Sequence, residues 1–435
     1  MQHIVRPAVL ALGFSLAACT ARPAAPVAVA NAPVGAAAGA ASPSAPKDAT
    51  PRSQTDYPTT DGEIALANLG SQIEGQAQVF RQTQNLEINA TLANLLLLRG
   101  QITGTIADYE RAQQLTDELV KKQPNDAVAW VAHGAVMSTF HRFTEALADY
   151  DRAEKLGYKT VELVAPRMGI AAALGEDDKA LAYREKVARE LPGIDTLGAL
   201  ATLKGNLGEL AEASALFGKA QDSYRNISPF PVAMLYFQNG LLEQSAGSPA
   251  RARALFQAAH DRLPAYAQAT SHLAYVLAAT GERDRAIELL KPLAESADDP
   301  EYAGQLAGML RLAGQDGSAL QRRAAERYEA LVKKYPQAFS DHAARFWLST
   351  GENAAKALSL AQLNFQSRPT AEAHRLVIEA ALAARAPAVA CKAADALLAR
   401  PHATSLSRIA ASKAYFACDR KAQGEEIVAQ ALKHP

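Results

Sequence analysis

The 435-residue sequence predicts an all-α repeat array, and three observations carry that expectation. Alanine and leucine dominate the apolar half, aromatic residues make up 6%, and β-branched runs are scarce, a balance that favours helix over sheet. Pro124, Pro192, Pro264, Pro300, Pro336, Pro369, Pro401 and Pro435 follow one another at spacings of about 34 residues or about twice that, the length of one helix–turn–helix unit. Small residues recur at fixed places inside those intervals. Charge adds an exclusion: Lys+Arg and Asp+Glu are both 45 and no block of like charge stands out, so nucleic acid is not an expected partner.

The chain begins MQHIVRPAVLALGFSLAAC, in which Arg6 precedes an apolar segment from Pro7 to Leu16 and then small residues. That is the layout of a secretory signal, and the apolar segment is too short to span a bilayer. Leu16-Ala17-Ala18-Cys19 resembles the lipobox of bacterial lipoproteins. The resemblance implies a signal peptide over 1–18, cleavage before Cys19, and acylation of its thiol and new N-terminus with palmitate-type chains. Each buried methylene adds about 0.8 kcal/mol, so two or three chains anchor firmly. Thr20 follows the cysteine where Asp would direct retention, which by the same resemblance implies the outer membrane, facing the periplasm. The competing reading is an ordinary secretory signal that contains a cysteine.

Residues 19–60 are rich in Ala and Pro, with Gly, Ser and no helical period. Such a segment cannot bury enough apolar surface to offset the entropy of ordering and is expected to be a disordered tether, spanning on average about 35 Å. Residues 61–90 read as a capping helix.

Repeats follow. Residues 127–160 carry Trp130, Gly134, Ala146, Tyr150 and Ala153; later intervals carry Ala201, Ala213, Phe217 and Ala220, then Tyr236, Gly240, Ala252, Phe256, Ala259 and Pro264. At this spacing they resemble the tetratricopeptide repeat, a helix–turn–helix solenoid. We expect nine to ten units, regular over 91–300 and divergent over 301–435. Small residues at the eighth and twentieth positions are expected where the two helices cross. The aromatic at the twenty-fourth is expected to fill the gap to the next unit, and proline to stop the second helix. The resemblance further implies a right-handed superhelix whose first helices line a concave groove. Positions 2, 5, 9 and 12 would look into it, giving Val128 and Val131, Phe237 and Leu241, Gln268 and Tyr275, and, with a shifted alignment, Asp341 and Arg345. Val131, Phe237, Tyr275, Asp341 and Arg345 are the candidate contacts for an extended peptide or helix of a protein partner.

Cys391 and Cys418 fall on elements that pack side by side in this architecture. In an oxidising compartment they could pair, closing a loop worth roughly 3 kcal/mol in the chain-entropy model; the alternative is two buried thiols. The nine histidines are scattered, with no metal-ligand pair at helical spacing, and no nucleophile elbow or phosphate-binding loop is present. No catalytic residue, metal or cofactor is expected. The sequence therefore reads as a non-enzymatic scaffold, anchored by lipid in a bacterial envelope, that assembles a secretion, pilus, polysaccharide-export or cell-wall complex. A non-catalytic subunit of an envelope enzyme or a glycan-binding module are the alternatives; Trp130 and Trp347 are the two tryptophans available for the latter.

Overall fold

The structure, a computed structural model, describes residue 51 and residues 58–433; Cys19, the signal segment and most of the tether lie outside the described residues. A solitary helix, α1 (Gly62–Thr83), precedes ten helix pairs. They are α2 (Ile88–Thr103) with α3 (Ile106–Lys122), α4 (Ala127–Thr139) with α5 (Phe143–Lys155), α6 (Thr160–Ala173) with α7 (Asp177–Glu190), and α8 (Ile194–Asn206) with α9 (Leu210–Ser223). Next come α10 (Pro229–Ser245) with α11 (Pro249–Arg262), α12 (Ala267–Ala279) with α13 (Arg283–Ser296), and α14 (Pro300–Leu312) with α15 (Ser318–Lys334). The last three are α16 (Pro336–Leu348) with α17 (Ala354–Ser367), α18 (Ala371–Ala383) with α19 (Pro387–Leu398), and α20 (Ser405–Ala417) with α21 (Lys421–Lys433). No strand occurs among the described residues, and the fold is the all-α tetratricopeptide-like solenoid that the sequence predicts.

Local chemistry sets the boundaries. Asp61, Asp126, Asp299, Asn353, Thr370 and Thr404 accept hydrogen bonds from the first backbone N–H groups of the helices that follow them. Proline plays a different part from the expected one: Pro300 and Pro336 are the first residues of α14 and α16, where a missing N–H costs nothing, instead of stoppers of the helices before. Within every pair the turn contains one residue in the left-handed region. Gly104, Gly175, Gly208, Gly247, Gly281 and Gly314 fill six of these places; His141, Glu352, Arg385 and Asp419 fill the other four at a steric cost.

Within a pair, a ring rests on a glycine. A β-carbon on Gly134 would lie 2.6 Å from the Tyr150 ring, and one on Gly240 would lie 2.5 Å from the Phe256 ring. The aromatic thus packs first over the glycine of its own pair, a correction to the expected gap-filling between units; Phe256 in addition reaches His272 of the next pair, with ring centroids 5.2 Å apart.

Successive first helices pack on one another: α2 on α4, α8 on α10, α14 on α16, α16 on α18 and α18 on α20. No two second helices pack comparably. First helices therefore form the inner side of the curve. Their approach depends on small residues: a β-carbon on Gly205 would meet Leu242 at 2.6 Å, one on Gly304 would meet Phe346 at 2.9 Å, and one on Gly308 would meet the Thr350 hydroxyl at 2.9 Å.

Close inner helices wind the array tightly, and its turns touch. The turn inside each early pair meets the loop that follows the pair five places further on. Asp298 accepts hydrogen bonds from the Ile106 and Ala107 N–H groups, so α3 is capped by a residue from the next superhelical turn. Phe140 stacks on Tyr335 at 4.1 Å, Lys334 pairs with Glu110 at 2.8 Å, and Arg400 reaches Asp177 at 2.9 Å. At the start, the Thr60 N–H donates to the Ile227 carbonyl at 2.7 Å and Arg262 donates to the Thr59 hydroxyl at 3.0 Å.

Two outcomes test these assignments. Gly134→Val should lower stability by about 1–3 kcal/mol through overpacking, with a smaller added cost when Tyr150→Leu is also present, as thermal denaturation would read. Arg385→Gly, at an exposed left-handed turn, should raise stability by about 0.5–1 kcal/mol; a loss of stability would refute the strain assigned to that turn.

Candidate functional site

The candidate site is the face that the first helices turn to the inside. Its residues behave differently from those of an open groove. Phe237 is fully buried, its ring 5.3 Å from Tyr266 and 5.2 Å from His272. Asp341 is buried too, and accepts from Arg368 at 2.6 Å. Neither offers a contact to a partner, which corrects the sequence-based assignment. Val131 and Tyr275 are half-buried against the main apolar core, and Arg345 pairs with Glu372 of α18. Val128 is exposed, whereas Leu241 is buried.

The reason lies in the stacking. In α10 and α14, positions of this set are where the next first helix or its turn lands, whereas Val128 of α4 and Val161 of α6 stay exposed. Glu301 meets His342 at 3.0 Å, Gly304 meets Phe346, Gly308 meets Thr350, and Phe237 meets His272. At these places a residue that an open superhelix would leave facing a groove is covered by the neighbour.

A polar ladder runs along this face. The Ser271 hydroxyl donates to Gln305 at 2.7 Å, Gln305 lies 3.4 Å from Glu301, and Glu301 is bonded to His342. Asp341 and Arg368 continue it, and across the seam His141 has its Nδ1 3.2 Å from the Gln337 carbonyl oxygen. Burial, joined by the charge of Arg368, pushes His141 down to about 3, so it is neutral and donates through Nδ1–H. Burial alone would lower His342 as well. The charge of Asp341 and the bond to Glu301 outweigh it and raise His342 to about 9, with Asp299 adding to the same direction. Asp341 is held below the usual carboxylate range, because the charges of His342, Arg368 and Arg345 overcome its desolvation.

Other charged clusters are equally committed. His133 sits between Asp149 at 2.7 Å and Asp117 at 3.0 Å, tying α3, α4 and α5 together. Buried Lys204 is ringed by Glu185, Glu209 and Glu212 at 3.1, 2.8 and 3.4 Å. Sequence inspection missed both clusters, since their members lie on separate helices and share no local motif. Among the described residues no group of three or more His, Cys, Asp or Glu side chains could hold a metal ion. Cys391 and Cys418 are joined as a disulfide with Cα atoms 6.7 Å apart, linking α19 to the end of α20. The Trp130 indole donates to the Pro124 carbonyl at 2.9 Å. Trp347 lies 4.0 Å beneath the Lys356 ammonium, beside a cavity of about 220 Å³ lined by Tyr328, Val332 and Leu360.

Residues 243–309 match the tetratricopeptide repeat family model. No curated protein matches the chain. Among solved structures it is similar to a tetratricopeptide repeat protein from Parabacteroides merdae, at 17% identity over 65% of this chain and 99% of that one, TM-score 0.36. It is also similar to the human IFIT1 dimer with m7Gppp-AAAA, at 15% identity over 87% of this chain and 97% of that one, TM-score 0.39. At these TM-scores neither likeness bears on function.

The two histidines predict opposite pH limbs. The stabilisation due to His342, whose pKa is raised, is complete below about 6.5 and is lost as pH climbs towards 9; that due to neutral His141 is complete above about 6.5 and is lost as pH falls towards 3. Thermal melts from pH 5 to 9 should show a loss on the alkaline side that shrinks in His342→Gln. An unchanged alkaline limb in that variant would refute the assignment.

Proposed function

We propose that the chain is a lipid-anchored protein–protein interaction scaffold of the bacterial envelope, assembling a secretion, pilus, polysaccharide-export or cell-wall complex. The stacked helix pairs support the scaffold reading: tetratricopeptide repeats serve as non-catalytic platforms for other proteins, and residues 243–309 carry that family's signature. The single observation behind it is this continuous array of ten pairs, in which the charged clusters described above tie helix to helix.

Attachment rests on the sequence alone. Leu16-Ala17-Ala18-Cys19 supplies the lipobox, the Ala/Pro segment supplies reach, and Thr20 favours the outer membrane facing the periplasm. A partner held by the array would gain effective concentration from confinement to one surface. Among the described residues no helix is long and apolar enough to cross a membrane, so on this reading the lipid does the anchoring. The mature protein should sediment with membranes and carry a mass increment of acyl chains on Cys19, and Cys19→Ala should abolish both. A wild-type protein that stays soluble, or an intact mass without acyl groups, would refute the anchor.

A further inference from the structure

The disulfide encloses part of the seam. Between Cys391 on α19 and Cys418 at the end of α20 lies the loop 399–404, whose side chains reach the turns of the third and fourth pairs. Arg400 donates to the Asp177 carboxylate at 2.9 Å and to the Gly175 carbonyl at 3.1 Å. His402 lies 3.1 Å from Asp178, and a β-carbon on Gly208 would come within 3.3 Å of the Thr404 methyl group. Thr404 is also the N-cap of α20, accepting from the Ser407 N–H. One end of α20 therefore sits in the seam, and the other is held by the cystine.

The other contacts of α20 are modest. Among the described residues the apolar cluster around it has nine buried members, and five of them are alanines, Ala381, Ala390, Ala394, Ala411 and Ala414, with one methyl each to bury. The ion pairs of the loop are solvated, the Asp178 side chain being 78% exposed, and such pairs hold little on their own. We propose that the thiol–disulfide state of this cystine is a latch on the seam. Oxidised, it keeps α20 and the loop 399–404 against the third and fourth pairs. Reduced, it lets them detach together, and the turns at 174–176 and 207–209 lose their cover. This goes beyond the scaffold reading and does not depend on it. Loop-closure entropy sets the size of the effect: a cross-link between residues 27 apart removes chain freedom from the detached state and makes the opening constant roughly a hundredfold smaller.

The exchange has a route. Cys391 is buried whereas Cys418 is half-buried, so Cys418 Sγ is the sulfur that an incoming thiolate reaches. A dithiol supplies both electrons. Its first thiolate attacks Cys418 Sγ, the Cys391–Cys418 bond breaks, and Cys391 leaves as a thiolate that takes up a proton. Its second thiolate then attacks the mixed disulfide, releasing Cys418, which is protonated in turn, and the dithiol is left oxidised to its own disulfide. The reduced form has a place for the buried thiol: the Cys391 sulfur lies 3.1 Å from the Ala414 carbonyl oxygen, to which its S–H can donate.

Hydrogen exchange of the folded, full-length protein with and without excess dithiothreitol tests this, with intact mass reporting the state of the cystine. Reduction should speed exchange of the slow amides of α20 and α21 by about a hundredfold, while those of α2 to α16 keep their rates. Coupling to the seam is read by Asp177→Asn combined with Asp178→Asn, changes on α7 that remove the partners of Arg400 and His402. In the reduced chain this variant should speed α20 exchange by a further threefold or more. A cystine that excess dithiothreitol fails to reduce would overturn the proposal. So would an acceleration below about threefold, or one spread over the whole array. Rates in reduced α20 that ignore the α7 changes would overturn it as well, because the disulfide would then be a staple with no hold on the seam.

Discussion

The distance between successive first helices governs this molecule. Where Gly205, Gly304 and Gly308 stand, Leu242, Phe346 and Thr350 of the neighbouring inner helix or its turn move into the space a side chain would have taken. After five further pairs the chain meets itself, and a helix such as α3 receives its N-terminal cap from Asp298, more than 190 residues away in sequence.

The seam that results is mixed in strength. Its ion pairs, Lys334 with Glu110 and Arg400 with Asp177, are partly solvated and worth about 0–1 kcal/mol each. The Phe140–Tyr335 stack is buried, and it and the half-exposed Asp298 cap each add a contribution on the order of 1 kcal/mol. The seam shares the main apolar cluster through Phe140, Tyr302 and Tyr335. Its closure nonetheless has a large consequence. Over α12, α14 and α16 the inner face becomes an internal contact lined by the Ser271–Gln305–Glu301–His342 ladder.

Much of this is legible in sequence and some is not. The period of the prolines and the glycine–aromatic couples Gly134–Tyr150 and Gly240–Phe256 reveal the repeat because they are local, each within one pair. The expected partner contacts fare worse. Phe237 and Asp341 occupy positions that face a groove in an open superhelix, yet tight winding buries them. The responsible glycines are visible in the sequence, but their effect is a small angle summed over several pairs, and no single window of residues contains it. Pairings such as Arg400 with Asp177 carry no local signal at all. Likewise, Leu406, Ile409 and Phe416 have the spacing of ordinary core positions, yet all three are exposed.

The closed seam is the claim on which the rest stands, and a distance across it measures it directly. Spin labels at the exposed positions Arg111 and Lys333, next to the Glu110–Lys334 pair, are separated by one full superhelical turn in sequence and by a single contact in space. Dipolar spectroscopy on the folded, disulfide-intact protein should give one narrow population at short distance. A broad or long-distance distribution would show that the turns stand apart, and would return Val131, Tyr275 and Arg345 to an open inner groove.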